Sequence, residues 1–163
     1  LGLEQFIERW TSPDYPPERI SPSDLDAAER ELGVRLPSDY RDAVMRTGLP
    51  RSTIALLDSI VDDNLSLRDV SEFLSPSEMV EITHASRGGG MPQDLIVFAM
   101  DCMGNMFCFD ADRLRENTPD HAAIWFFDHD FCTVEQEAPD FATWIGRFCE
   151  VEPSTTAMDI DAD

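Results

Sequence analysis

The sequence contains no lysine, and all 12 of its basic residues are arginine. That absence excludes a Schiff-base nucleophile and a P-loop, whose lysine must sit on the nucleotide phosphates. Arginine codons are GC-rich and lysine codons are not, so the bias reads first as genome composition. Positive charge of any kind is scarce. The 12 basic residues face 33 Asp and Glu, giving a formal charge of −21 and an isoelectric point near 4.2. Such a surface repels phosphate backbones and anionic membranes, so neither nucleic acid nor membrane is an expected partner. A basic protein would instead be drawn in quickly. The alternative is that the charge only keeps the chain soluble.

Cysteine is sparse and badly spaced for chemistry. Cys102, Cys108, Cys132 and Cys149 include no C-x-x-C pair, so neither a zinc ribbon nor a thioredoxin-type couple is signalled. Cys108, Cys132 and Cys149 each neighbour an aromatic residue, which suits buried free thiols. No apolar run approaches the roughly 18 residues of a membrane span. No charged-apolar-small leader opens the sequence, so a reducing cytoplasm is the expected compartment.

What is present is enough for one globular domain. A chain of 163 residues with 42% apolar content can build a core without metal or disulfide staples. Leu3, Phe6, Ile7 and Trp10 recur at helical spacing, and a proline-rich loop follows to Pro17. Ser21-Pro22-Ser23-Asp24 reads as a capping box opening a helix that Gly33 closes. Leu36-Pro37 opens the next helix, whose stripe is Tyr40, Ala43, Val44 and Thr47, with Gly48 as its stop.

Ile54 to Val61 fits a short helix or strand. Ser75-Pro76-Ser77-Glu78 repeats the capping pattern, so a helix is expected from Met79 to His84, with Arg87 to Gly90 as loop. The period then changes. Leu95 to Ala99 and Met106 to Phe109 read as strands joined by a turn through Gly104-Asn105, and Ala123 to Phe127 as a third. Asp140 caps a closing helix with Phe141, Trp144, Ile145 and Phe148 on one face. Residues 1–149 therefore form the expected domain, of which 1–20 are an N-terminal helix and loop. Residues 150–163, with five acids and no base, are the expected disordered tail.

This order of motifs resembles the SUKH superfamily of Smi/Knr-like domains. The residues that carry the likeness are Glu29 to Tyr40, with Leu36, Pro37 and Tyr40 at its centre, and Asp101 to Asp110 around Gly104 and Asn105. Trp125 to Asp130 and Phe141 to Trp144 continue it in order. One departure is Arg46-Thr47-Gly48-Leu49, where family members often carry Asn-Gly-Gly. The resemblance implies an α+β fold with a central, mostly antiparallel sheet flanked by helices. It also implies an immunity protein that binds a cognate toxin, often a nuclease, with no catalytic set and no cofactor. Eukaryotic members act instead as regulators or scaffolds, and that is the alternative reading.

Partner contacts must come from this chain's own chemistry. Asp128-His129-Asp130 offers a base or metal ligand, but the other histidines, His84 and His121, lie in different elements, so catalysis and metal binding are not expected. Cys102 and Cys108 flank the hairpin and read as packing residues rather than a redox pair, and Gly88 to Gly90 as a connector rather than a phosphate cradle. The acidic runs have the better case. From 117 to 146 there are six acids and no arginine. Asp101, Asp110, Asp112, Asp128, Asp130, Glu135 and Glu137 are accordingly the expected contacts for a basic toxin. A merely solvated acidic face is the alternative for the same residues.

Overall fold

The computed structural model describes residues 2–116 and 120–154. Its first half is helical: α1 (Leu3–Trp10), α2 (Pro22–Leu32), α3 (Ser38–Thr47) and α4 (Ile54–Asp62). Then come β1 (Glu72–Phe73), α5 (Pro76–Gly88), β2 (Leu95–Met100), β3 (Met106–Asp110) and α6 (Ala111–Glu116). β4 (Ile124–Asp128), β5 (Thr133–Ala138) and α7 (Phe141–Cys149) follow. Both expected capping boxes form. Asp24 N donates to Ser21 Oγ and Ser21 N to Asp24 Oδ2, while Ser75 and Glu78 make the same exchange ahead of α5. Each box satisfies two helix-end N–H groups that would otherwise lack partners.

The five strands form one sheet in the order β1-β2-β3-β4-β5, with every neighbouring pair antiparallel. Cys108 stands opposite Trp125 and Phe107 opposite Phe126. A bulge falls between Val97 and Ala99, and there Val97 N donates to the buried Thr83 Oγ1 of α5 at 3.0 Å. The hydroxyl keeps a backbone group from being buried without a partner.

α5 packs on β2 and α2, whereas α7 packs on β5, α1 and α3. Between the sheet and α1, α3 and α7 lies an aromatic core. Tyr40 is fully buried against Phe98, Phe109 and Phe141, with ring centres 5.4–5.5 Å away. Trp144 meets Phe98, Phe107 and Phe148. Edge-on aromatic contacts of this kind add about 0.5–1.5 kcal/mol each beyond the area they bury. Glu29, in α2, ties α3 to this frame by accepting from Leu36 N at 2.7 Å and pairing with Arg41.

One open reading closes and three local expectations change. The stretch from Ile54, open between helix and strand, is helix α4. α5 runs four residues past His84, into the expected Arg-Gly loop, where the Arg87 guanidinium donates to Leu95 O and ties the helix end to β2. Cys132 is exposed, because it sits in the β4–β5 turn with a positive φ of 53° rather than in the core. Past Cys149 the chain stays packed through Ser154. Val151 is buried, Arg9 donates to the carbonyls of Cys149 and Val151, and Ser154 N donates to Ser59 Oγ. The rest of the expected tail, from 155, lies outside the described residues. Among the described residues no helix is long and apolar enough to cross a membrane.

Candidate partner-binding surface

The seven expected contact residues fall in three places. The first is the end of the sheet where the β2–β3 and β4–β5 turns meet. Asp101 Oδ1 accepts from Met103 N at 2.9 Å and Asn105 N at 2.8 Å, and Gly104 turns the chain at a φ of 84°. Asp128 Oδ1 does the same in the other turn, accepting from Asp130 N and Phe131 N. The two turns are joined. His129 N and Nδ1 both reach Asn105 Oδ1, at 3.2 and 2.8 Å. A side chain at Gly104 would also touch the imidazole, its Cβ falling 3.5 Å from Cε1. His129 is therefore a brace between turns, and Asp130 stands exposed beside its ring at 3.4 Å.

Negative charge is concentrated at this end beyond the expected residues. Asp69 Oδ2 accepts from Cys102 N, and burial, with the nearby Asp101 carboxylate adding to it, pushes the Asp69 carboxyl upward. Burial and Asp69 in turn push the Cys102 thiol up, so it is not poised as a nucleophilic thiolate. The four cysteines are all free thiols. Cys108 pairs across the sheet with Val97 and Trp125, away from Cys102 in the turn.

The second place lies at the β3–α6 junction. Asp110 Oδ1 accepts from Asp112 N, and Asp112 pairs with Arg115 at 3.3 Å. Asp94, absent from the expected set, joins them, with carboxylate oxygens of all three within 4.8 Å of one another. Oxygen donors so grouped have the type a hard cation takes. Part of their charge is met within the chain by Arg115 and the backbone. The half-buried Trp125 lies between two hollows here, of about 510 and 240 Å³, that share Asp110 as lining.

The third place is the outer strand β5. Glu135 and Glu137 both hold Arg68, at 2.9 and 2.5 Å, and its guanidinium lies 4.0 Å over the Phe126 ring. Charged residues on an edge strand discourage pairing with another chain. Glu137 is almost wholly buried by this contact, which makes it a structural anchor. Glu135 keeps an exposed oxygen face.

Sequence reasoning missed the apolar component. Met103 and Phe131, one in each of the joined turns, are 71% and 78% exposed. Only their position beside Asp101 and Asp128 in turn sequences could have flagged them. A further hollow of about 810 Å³ between α2 and α6 is lined by Arg30, Arg35 and Arg115 against Asp26 and Glu29. Its mixed sign gives it no single-charge character.

These features define a small α+β domain with a helix-flanked antiparallel sheet and acidic turns at one sheet end. The chain belongs to the SMI1 / KNR4 family (SUKH-1), which it matches over residues 19–147. SUKH domains are of the toxin-immunity type, in general bind a cognate toxin, and in general are not enzymes. Among curated proteins none matches the chain.

Proposed function

We propose that this chain is an immunity protein that binds one cognate toxin domain and neutralises it by covering its surface. The toxin is basic and of nuclease type, and the chain's carboxylates occupy the place where phosphates would lie. The observation that carries this reading is membership of a toxin-immunity family by a chain of charge −21. A basic, phosphate-binding surface is the partner such a charge attracts most strongly. The sheet end with Asp69, Asp101, Asp128 and Asp130 supports it, because the 120–146 stretch that supplies two of these residues has no arginine. No catalytic group or cofactor is needed, since neutralisation follows from occupancy. His129 belongs to the turn and not to a reaction.

The test is to recover the partner with the tagged chain from its producing cells, identify it, and co-express the two. One basic protein should elute with the chain as a stable complex through gel filtration. Its toxicity should disappear when the chain is present. A set of weak partners with no toxic member would replace this reading with that of a regulator or scaffold.

A further inference from the structure

Building on the immunity reading, we propose that Met103 and Phe131 are the anchors of the toxin interface. They seat in an apolar recess of the basic partner, with Asp130 on the rim. Large apolar side chains exposed on two turns that are fastened to each other, with charge beside them, mark an interaction surface. Here they stand on turns that are ordered in detail. Asp101 holds the amide of Met103, and Asp128 holds that of Phe131. His129 fastens one turn to the other through Asn105. Cys132, next to Phe131, holds a φ of 53°, a conformation non-glycine residues adopt only where their surroundings enforce it.

An exposed phenylalanine that was merely tolerated would need none of this order. A pre-organised aromatic and a methionine give up little conformational freedom on docking, and that is the property of interface anchors. The occupant follows from charge. Asp130 is 69% exposed at the side chain, and in the neighbouring turn Asp69 accepts from Cys102 N with the Asp101 carboxylate close by. An apolar patch in this setting repels an acidic protein and a second copy of a chain with charge −21. It fits a recess bordered by arginine or lysine.

The experiment places the photo-crosslinker benzoylphenylalanine at position 131 or 103 in the full chain, expressed in its producing cells. Controls carry it at Tyr15 or Ile54, which are also exposed but lie on other elements. Crosslinks at 131 and 103, and none at 15 and 54, should join the chain to one identified protein of basic isoelectric point. With that protein purified, Phe131→Ser and Met103→Ser should each raise its dissociation rate about 10-fold or more, with association nearly unchanged. Both side chains are exposed, so melting temperatures should match the wild type. Crosslinks to a toxin only from 15 or 54, or unchanged dissociation, would overturn the anchors and leave the immunity reading intact. Crosslinks to a second copy of the chain would overturn the anchors too. Crosslinks from no position would count against both.

Discussion

Asp39 lies one residue from Tyr40, the residue at the centre of the aromatic core, and its carboxylate is poorly served. Oδ1 accepts from Tyr40 N at 2.8 Å, but Oδ2 is buried without a hydrogen bond, and His121 Nδ1 is 3.6 Å away. Burial raises its pKa above 3.8, against the opposing pull of the Tyr40 amide and His121. A carboxyl with a raised folded-state pKa favours folding when protonated. Its contribution is whole below 3.8 and is lost as pH rises through the folded value. Asp39→Asn keeps the Tyr40 contact and imitates the protonated form at every pH. The variant should melt higher than the wild type at neutral pH, and the gap should close as pH falls towards 3.8. Melting curves from pH 3 to 7 measure this. A gap that persists at the acid end would mean that Asp39 acts by something other than its charge.

Elements with strong local chemistry could be read from the chain. α2 and α5 announced themselves through Ser-Pro-Ser-acid, α7 through Asp140 and an aromatic face, and the β2–β3 turn through Gly104-Asn105. β5 could not be read. Thr133 to Glu137 lie on the outer strand of the sheet with mostly exposed side chains, so no alternation of apolar and polar residues marks them. β1 is two residues long and exists by pairing with β2 on one side and bridging Arg51 on the other. For the same reason, charge alone suggested a single acidic face. The structure shows Glu137 spent on Arg68, and Asp101 and Asp128 spent on backbone amides.

The C-terminal boundary is likewise tertiary, because Val151 is buried by contacts remote in sequence. Compared with a chain ending at Ser154, one ending at Cys149 should lose about 2 kcal/mol or more through Val151 burial and the Arg9 bond to its carbonyl. Urea unfolding of the two truncations distinguishes them. Equal midpoints would show that residues 150–154 add nothing to the fold.

At the scale of the whole molecule, a charge of −21 acts on the free protein and on its association in opposite ways. Within the folded chain the carboxylates repel, so salt should raise the melting temperature. Between chain and partner they attract, so salt should slow encounter, since the screening length falls to about 8 Å at physiological ionic strength. A variant can separate charge from structure. Asp110, Asp112, Asp128 and Asp130 can all become Asn, because an amide oxygen still accepts the turn N–H groups that Asp110 and Asp128 now hold, whereas Asp101 stays because its second oxygen accepts from Asn105 Nδ2. Glu135 and Glu137 stay, since removing them would strand Arg68 over Phe126. The exposed Asp112–Arg115 pair contributes little to stability. The quadruple variant should fold with an equal or higher melting temperature. Its association rate with the purified toxin at low salt should fall about 10-fold, while dissociation changes less. Stopped-flow association across a salt series reads both effects. If wild type and variant bind at the same rate at every salt concentration, the acidity of this surface serves solubility alone, and the encounter is steered by some other face.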